Sequence, residues 1–233
     1  MGRWQRSPPA MHTTSARTPP GAPASDRRRE VFYAAYGSNL SAERFGYYIT
    51  GGTAPGASRA LPGARDRRLP ESWRAVRAPG CLYFFGHSRT WGGAPAAFAP
   101  AAPGEHLGTE VLVRAWRIAW GQLEDVMAQE NGRHTYSIDV EPGALVEGFS
   151  LLAGPGRYDR LIFVGTLEGL PVLTFTAPGP PESVAPAAPS LAYLAHIVKG
   201  LRETFDLDDH AIVDYLGSAS GATPDLVRAA LAT

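Results

Sequence analysis

Cysteine and lysine each occur once in the 233 residues, at Cys81 and Lys199. A single thiol excludes an intrachain disulfide and fits a reducing compartment. Cys81 opens the apolar run CLYFF, where a thiol is a packing group rather than a nucleophile. With lysine so scarce, nearly all positive charge is arginine, and together with the load of Ala, Gly and Pro this fits the coding bias of a GC-rich bacterial genome. No two of the six histidines lie within five positions of each other, so zinc-type ligand spacing is missing and no metal is expected. No run of about 18 apolar residues is present to cross a membrane. The N-terminus has arginines but no apolar core segment, so it reads as neither a secretory nor a twin-arginine signal. A cytoplasmic protein without membrane contact is expected. Ser38 lies in Tyr-Gly-Ser-Asn-Leu and lacks the second glycine of a nucleophile elbow. The stretch GGTAPG has glycines without the lysine or the preceding strand that a phosphate-binding loop requires.

Charge is balanced overall, 22 Lys and Arg against 22 Asp and Glu, but it is unevenly placed. Residues 1–80 carry 13 arginines against 5 acids, and residues 81–233 carry 9 basic residues against 17 acids. The early arginines are scattered among Pro and Gly with no nucleic-acid module around them, so no nucleic-acid partner is expected. A content of 44% apolar and 19% charged residues describes a soluble globular chain, long enough for one domain with a substantial core.

Residues 1–29 are rich in Pro, Ser, Thr and Arg without periodicity and read as a disordered tail. Residues 30–233 read as a single domain. It opens on VFYAAY, unbroken in apolar character as in a strand covered on both faces. After Gly37-Ser38-Asn39, Ser41 is placed to cap a helix through AERFGYYIT, with Gly51-Gly52 as its stop. Residues 53–80 read as an irregular, arginine-rich insertion. Strands are expected at CLYFFG, AAFAP, TEVLVRAWRIAW and TYSIDV, and a hairpin across DRLIFVGTLEGLPVLTFTA. A helix is expected at QLEDVMAQEN, with Leu123, Val126 and Met127 as its apolar stripe. SLAYLAHIVKGLRETF, with Leu191, Leu194, Ile197, Val198 and Leu201 at helical spacing, DDHAIVDYL and TPDLVRAALA complete the helices. Strands precede the main helices, which predicts an α+β class with a mostly antiparallel sheet or small barrel.

Two features carry chemistry. The GSN turn joins a buried strand to a helix. It reads either as ordinary turn chemistry or as a cradle of outward N–H groups for an anion or a developing oxyanion. Glu130 closes the short helix on the face opposite Glu124 and Asp125. It reads either as a solvated helix-end acid or as a functional carboxylate, since a negative charge at a helix C-terminus opposes the dipole.

In order along the chain, YAAYGSNL, WGGAPAAF, AWRIAWGQLEDVMAQENG, VLTF and PSLAYLAHIVKGLRE resemble the landmarks of the γ-glutamylcyclotransferase-like family, over Phe32 to about Leu216. The resemblance implies a small mixed, mostly antiparallel β-barrel flanked by helices. It implies a substrate loop at Tyr36, Gly37, Ser38, Asn39 and Leu40, further substrate contacts at Trp91, Gly93 and Tyr136, and Glu130 as the catalytic acid and base. The implied reaction releases an amine from a small γ-glutamyl amide with formation of 5-oxoproline, in a monomer or homodimer, with no cofactor. An amide transferase or hydrolase using the same pocket and a catalytically silent binding module are the alternatives. Glutathione, a γ-glutamyl amino acid and a γ-glutamyl-protected intermediate all fit as substrate. Asn131 stands where the family usually has Gly and Phe175 where it often has Tyr. The insertion, with Arg65, Arg67 and Arg68, is expected to contact the variable half of the substrate.

Overall fold

The computed structural model describes residues 26–102, 104–105, 109–140, 144–153, 156–177 and 181–233. The expected disordered tail lies outside the described residues as far as residue 25. Residues 27–29, counted with the tail on composition, pack on the domain. The Arg29 carbonyl accepts from the Trp120 N–H at 2.7 Å, and its guanidinium lies 4.2 Å over the Trp120 ring. Arg27 approaches Glu124 at 3.7 Å.

Seven strands form one sheet: β1 (Glu30–Ala35), β2 (Trp73–Phe84), β3 (Ala96–Pro100), β4 (Glu110–Ala119), β5 (Ser150–Leu152), β6 (Arg160–Leu167) and β7 (Leu170–Thr176). Their order is β3-β2-β4-β1-β7-β6-β5, and the pairs are antiparallel except β1 with β7. The unbroken apolar run of β1 follows from its central place. Phe32, Ala34 and Tyr36 face one hydrophobic core, while Val31, Tyr33 and Ala35 face another. Each fully buried large side chain in these cores contributes about 1.5–3 kcal/mol relative to exposure. The sheet curls into a half-barrel, bringing β3 against β7. There the Thr176 hydroxyl accepts from the Phe98 N–H at 2.9 Å and donates to its carbonyl at 2.7 Å.

Helices α1 (Ala42–Thr50) and α2 (Trp120–Glu130) cover one face, and α3 (Leu191–Phe205), α4 (Asp209–Gly217) and α5 (Pro224–Leu231) the other. Ser41 caps α1 and Thr223 caps α5 as expected, each accepting from the N–H three residues on. Leu191 is 37% exposed and Tyr193 takes its place, so the apolar stripe of α3 runs through Tyr193, Leu194, Ile197, Val198 and Leu201.

Two elements differ from the sequence expectation. Residues 73–80, assigned to the irregular insertion, form the first part of β2, paired with β4 from Trp73 opposite Trp116 to Pro79 opposite Glu110. Their Arg, Pro and Gly content disguises a strand that its neighbour stabilises. TYSIDV is not a strand. The Ile138 N–H donates to the Glu124 carboxylate at 3.1 Å, so its backbone is satisfied by a side chain rather than by a ladder.

Candidate active site

The end of β1 is fastened on several sides. The Tyr36 hydroxyl donates to the Phe175 carbonyl at 2.9 Å, Trp116 Nε1 donates to the Asn39 carbonyl at 2.9 Å, and Arg114 donates to the Leu40 carbonyl at 3.2 Å. Between these anchors Ser38–Leu40 turn as a short 3-10 segment. Gly37 is required by close approach, because a Cβ there would lie 2.8 Å from the Tyr193 hydroxyl. That hydroxyl accepts from the Ala96 N–H at 3.1 Å, and its own proton has no acceptor among the described residues. Burial pushes the Tyr193 pKa up to about 12, against the pull of the Ala96 N–H, so it stays a donor at neutral pH.

Glu130 reaches this turn from the end of α2. Gln129 ties α2 to α1 by donating to the Tyr48 carbonyl at 2.9 Å, which sets the next residue beside the Tyr48 ring. Glu130 Oε1 accepts from the Tyr48 hydroxyl at 2.5 Å and from Asn39 Nδ2 at 3.2 Å. Oε2 has no partner among the described residues. Tyr48 in turn accepts from Arg44 Nη2 at 3.0 Å. Burial raises the Tyr48 pKa well above its ordinary value, with Arg44 opposing and Glu130 adding to the rise, so its hydroxyl remains a neutral donor. Arg44 is 3% exposed, its Nε has no hydrogen-bond partner, and its guanidinium stacks 4.4 Å over Tyr48 and 5.1 Å over Trp91. No carboxylate among the described residues pairs with it. The two ring contacts offset only part of the cost of burying a cation.

These groups line a cavity of about 740 Å³. Of the residues the sequence singled out, Tyr36, Gly37, Ser38, Asn39, Trp91 and Glu130 lie on its wall. Leu40, Gly93 and Tyr136 do not. Leu40 is fully buried in the core beneath α3. Gly93 is a packing glycine, since a Cβ there would lie 2.4 Å from the Ser190 nitrogen. Tyr136 packs with the α2 core, and Tyr158 lines the cavity instead, its hydroxyl donating to the Ala96 carbonyl at 2.6 Å. Asn131 has a use that glycine lacks: its side chain accepts from the Tyr158 N–H at 3.0 Å and donates to the Tyr158 carbonyl at 3.1 Å, pinning that segment to α2. Phe175 stacks on Tyr33 with ring centroids 5.1 Å apart.

The insertion reaches the cavity through residues 59–62, not through Arg65, Arg67 and Arg68. Arg65 binds Asp125 and Glu124, Arg67 donates to the Thr50 and Pro62 carbonyls, and Arg68 pairs with Asp66. Sequence reasoning missed Tyr33, Arg44, Tyr48, Tyr158 and Tyr193. One signal was available for Arg44: it sits on the apolar face of α1 beside Phe45, Tyr48 and Ile49, where a cation requires a reason. Among the described residues no three His, Cys, Asp or Glu side chains gather as metal ligands, and no helix is long and apolar enough to cross a membrane.

No family model matches the chain. Over 204 residues it is 28% identical to histone deacetylase 5 of Arabidopsis thaliana, a match covering 82% of this chain and 31% of that protein. The chain thus spans about a third of the length of this relative. Among solved structures it is similar to a γ-glutamyl cyclotransferase, with 18% identity, 86% of this chain and 99% of the other covered, and a TM-score of 0.47. It is also similar to uncharacterized protein loc79017 from Homo sapiens, with 21% identity, 85% and 98% covered, and a TM-score of 0.47.

Proposed function

We propose that this chain is a γ-glutamylcyclotransferase-like enzyme that closes the glutamyl part of a γ-glutamyl amide into 5-oxoproline and frees the amine. The observation that carries the reading is Glu130, held at Oε1 by two neutral donors with Oε2 unengaged, on the wall of the cavity that the GSN turn also lines. A carboxylate fixed in this way can exchange a proton with a ligand without breaking its own anchorage.

In this reading Glu130 accepts a proton from the α-ammonium of the substrate. The freed nitrogen bonds to the γ-carbon, and the bond from that carbon to the leaving nitrogen breaks. Over the cycle two protons pass from the α-nitrogen to the leaving nitrogen, so Glu130 ends in the state in which it began. The Gly37 and Asn39 N–H groups and the Tyr193 O–H, whose oxygen already takes the Ser38 and Ala96 N–H groups, stabilise the charge that develops on the γ-carbonyl oxygen. Arg44 pairs with the α-carboxylate, which would supply the anion this buried cation otherwise lacks. The nucleophile is intramolecular, so effective molarities on the order of 10⁵ M are within reach of a cavity that only folds the chain of the substrate into a five-membered ring. Product analysis of the purified protein with γ-glutamyl amides tests the reading. Release of 5-oxoproline with an equivalent of amine is expected; release of glutamate would assign hydrolysis, and no product at all would favour a binding module.

A further inference from the structure

Asp159 is a carboxyl group that the proposed reaction does not use. Its side chain is fully buried, and neither of its oxygens has a hydrogen-bond partner. It does not line the cavity itself. Its neighbours Arg157 and Tyr158 do, and so do the residues of the turn after Glu130, from Asn131 to His134.

Two acceptors meet behind that wall. A Cβ on Gly156 would lie 2.5 and 2.8 Å from the two Asp159 oxygens and 2.6 Å from Asn131 Oδ1, so the three oxygens converge on one side of this glycine. The Asn131 amide is fixed in direction. Its Oδ1 accepts from the Tyr158 N–H at 3.0 Å, and its Nδ2 donates to the Met127 and Tyr158 carbonyls, each at 3.1 Å. An ionised carboxylate only accepts, so beside a fixed amide oxygen and away from water it is both repelled and unsatisfied. A carboxylic acid has the hydrogen that this arrangement lacks. Burial raises the Asp159 pKa above its ordinary 3.8, against the opposing pull of Arg133 and the Tyr136 hydroxyl, the two groups that face it from the segment after α2. That hydroxyl is itself buried and completes no hydrogen bond.

We propose that Asp159 is a positioning residue that works as a neutral carboxylic acid, its O–H donating to Asn131 Oδ1 and so clasping the end of α2, with Glu130, to the wall that carries Tyr158. Its bearing on turnover rests on the cyclotransferase reading. With the proton in place, Asn131 keeps its three backbone bonds and gains a fourth. Loss of the proton sets an anion against Oδ1 and loosens the clasp. Glu130 then moves relative to the GSN turn, and a displacement of about 1 Å costs on the order of 10²-fold in rate.

Asp159→Asn tests the proposal, since it keeps the shape and supplies a permanent N–H donor. Infrared spectroscopy of the full chain reads the proton directly: at neutral pH wild type should show the C=O stretch of a protonated carboxyl group that the variant lacks. At that pH the kcat of the variant should stay within about twofold of wild type, because the bond to Asn131 is kept. As pH rises, wild-type kcat should fall about tenfold over the range in which the band disappears, and the variant should lack that fall. Thermal unfolding adds a second readout. The folded pKa is raised, so the charged form costs stability as pH rises from below 3.8 through the folded value, and over that range the Tm of the variant should gain on wild type. If Asp159→Asn does not fold, Asn131→Gly decides, because it removes the acceptor and should shift the carboxyl band. Absence of the band from wild type at neutral pH, an alkaline fall shared by the variant, or a tenfold loss of kcat in folded Asp159→Asn overturns the proposal. So does a band that Asn131→Gly leaves unmoved. The infrared and thermal readouts need no turnover. If no amide yields 5-oxoproline but the band is present and answers to Asn131→Gly, the cyclotransferase reading falls and the clasp stands.

Discussion

Helix α2 carries three carboxylates, and its middle and its end treat them differently. In the middle, Glu124 and Asp125 are buried against arginine. Asp125 accepts from the Arg65 backbone N–H at 2.8 Å and from its Nε at 2.7 Å. Glu124 takes the Ile138 N–H, with Arg65 and Arg27 at 3.4 and 3.7 Å. At the end, Glu130 meets a phenol and an amide, both neutral and both on one oxygen. A carboxylate saturated by cations and backbone donors organises loops and has nothing left to offer a ligand. A carboxylate steadied by neutral donors on one oxygen keeps the other open to a ligand. This also corrects the reading of the helical wheel, on which Glu124 and Asp125 merely point away from Glu130. They do point away, but into the protein, so substitutions there are not silent.

The comparison breaks most visibly at Glu130. Glu130→Gln keeps the size and an oxygen for Tyr48 and Asn39 but cannot take a proton at neutral pH. Turnover should fall by roughly 10²–10⁴ while Tm stays within a degree or two. Near wild-type turnover would remove Glu130 from the mechanism. Asp125→Ala is the opposite case. It removes the acceptor of the Arg65 backbone N–H along with the ion pair, which should cost roughly 1–3 kcal/mol and lower Tm by several degrees. The turnover of the protein that remains folded should be kept; a loss as large as that of Glu130→Gln, without unfolding, would make the middle of α2 part of the site.

Glu124 gives the smallest and sharpest test, through pH. Burial raises its pKa above the ordinary 4.5, and the Ile138 N–H and Arg65 only partly oppose the rise. The folded state therefore holds its proton more tightly than the unfolded chain. The charged form costs stability, and that cost appears as pH rises from below 4.5 through the folded value. Glu124→Gln keeps an acceptor for Ile138 and does not titrate. Measured by thermal unfolding, the Tm of the variant should gain on wild type between pH 4 and pH 7. A difference independent of pH would mean that the arginines fully compensate the burial.

Much of the framework was readable because its causes are local. The run Val31–Tyr36 has no polar face because both of its faces are covered, Ser41 and Thr223 lie where a cap oxygen meets an orphan N–H, and Leu123, Val126 and Met127 fall on one stripe. The turn and Glu130 stood out for the same reason, a small polar stretch and a misplaced charge set against regular elements. The first part of β2 was hidden because its support comes from β4, about forty residues away. TYSIDV misled because alternation in sequence cannot tell whether a backbone N–H will meet a strand or a glutamate.

By itself the sequence determined the class of the protein, the path of β1 through the GSN turn into α1, the caps, and the two features worth testing as chemistry, since each rests on interactions among residues a few positions apart. Only the tertiary structure decided which side chains surround them. The bonds from Tyr48 to Glu130 and from Ala96 to Tyr193 span 82 and 97 positions, and those that hold Arg65 to α2 span about 60. Arg65, which holds Asp125, and Arg59, which lines the cavity, both belong to the insertion and look alike in sequence. Whether one meets a carboxylate or is left facing a cavity depends on how the sheet curls and where the helices dock, and that is set by packing of the whole core rather than by any local pattern.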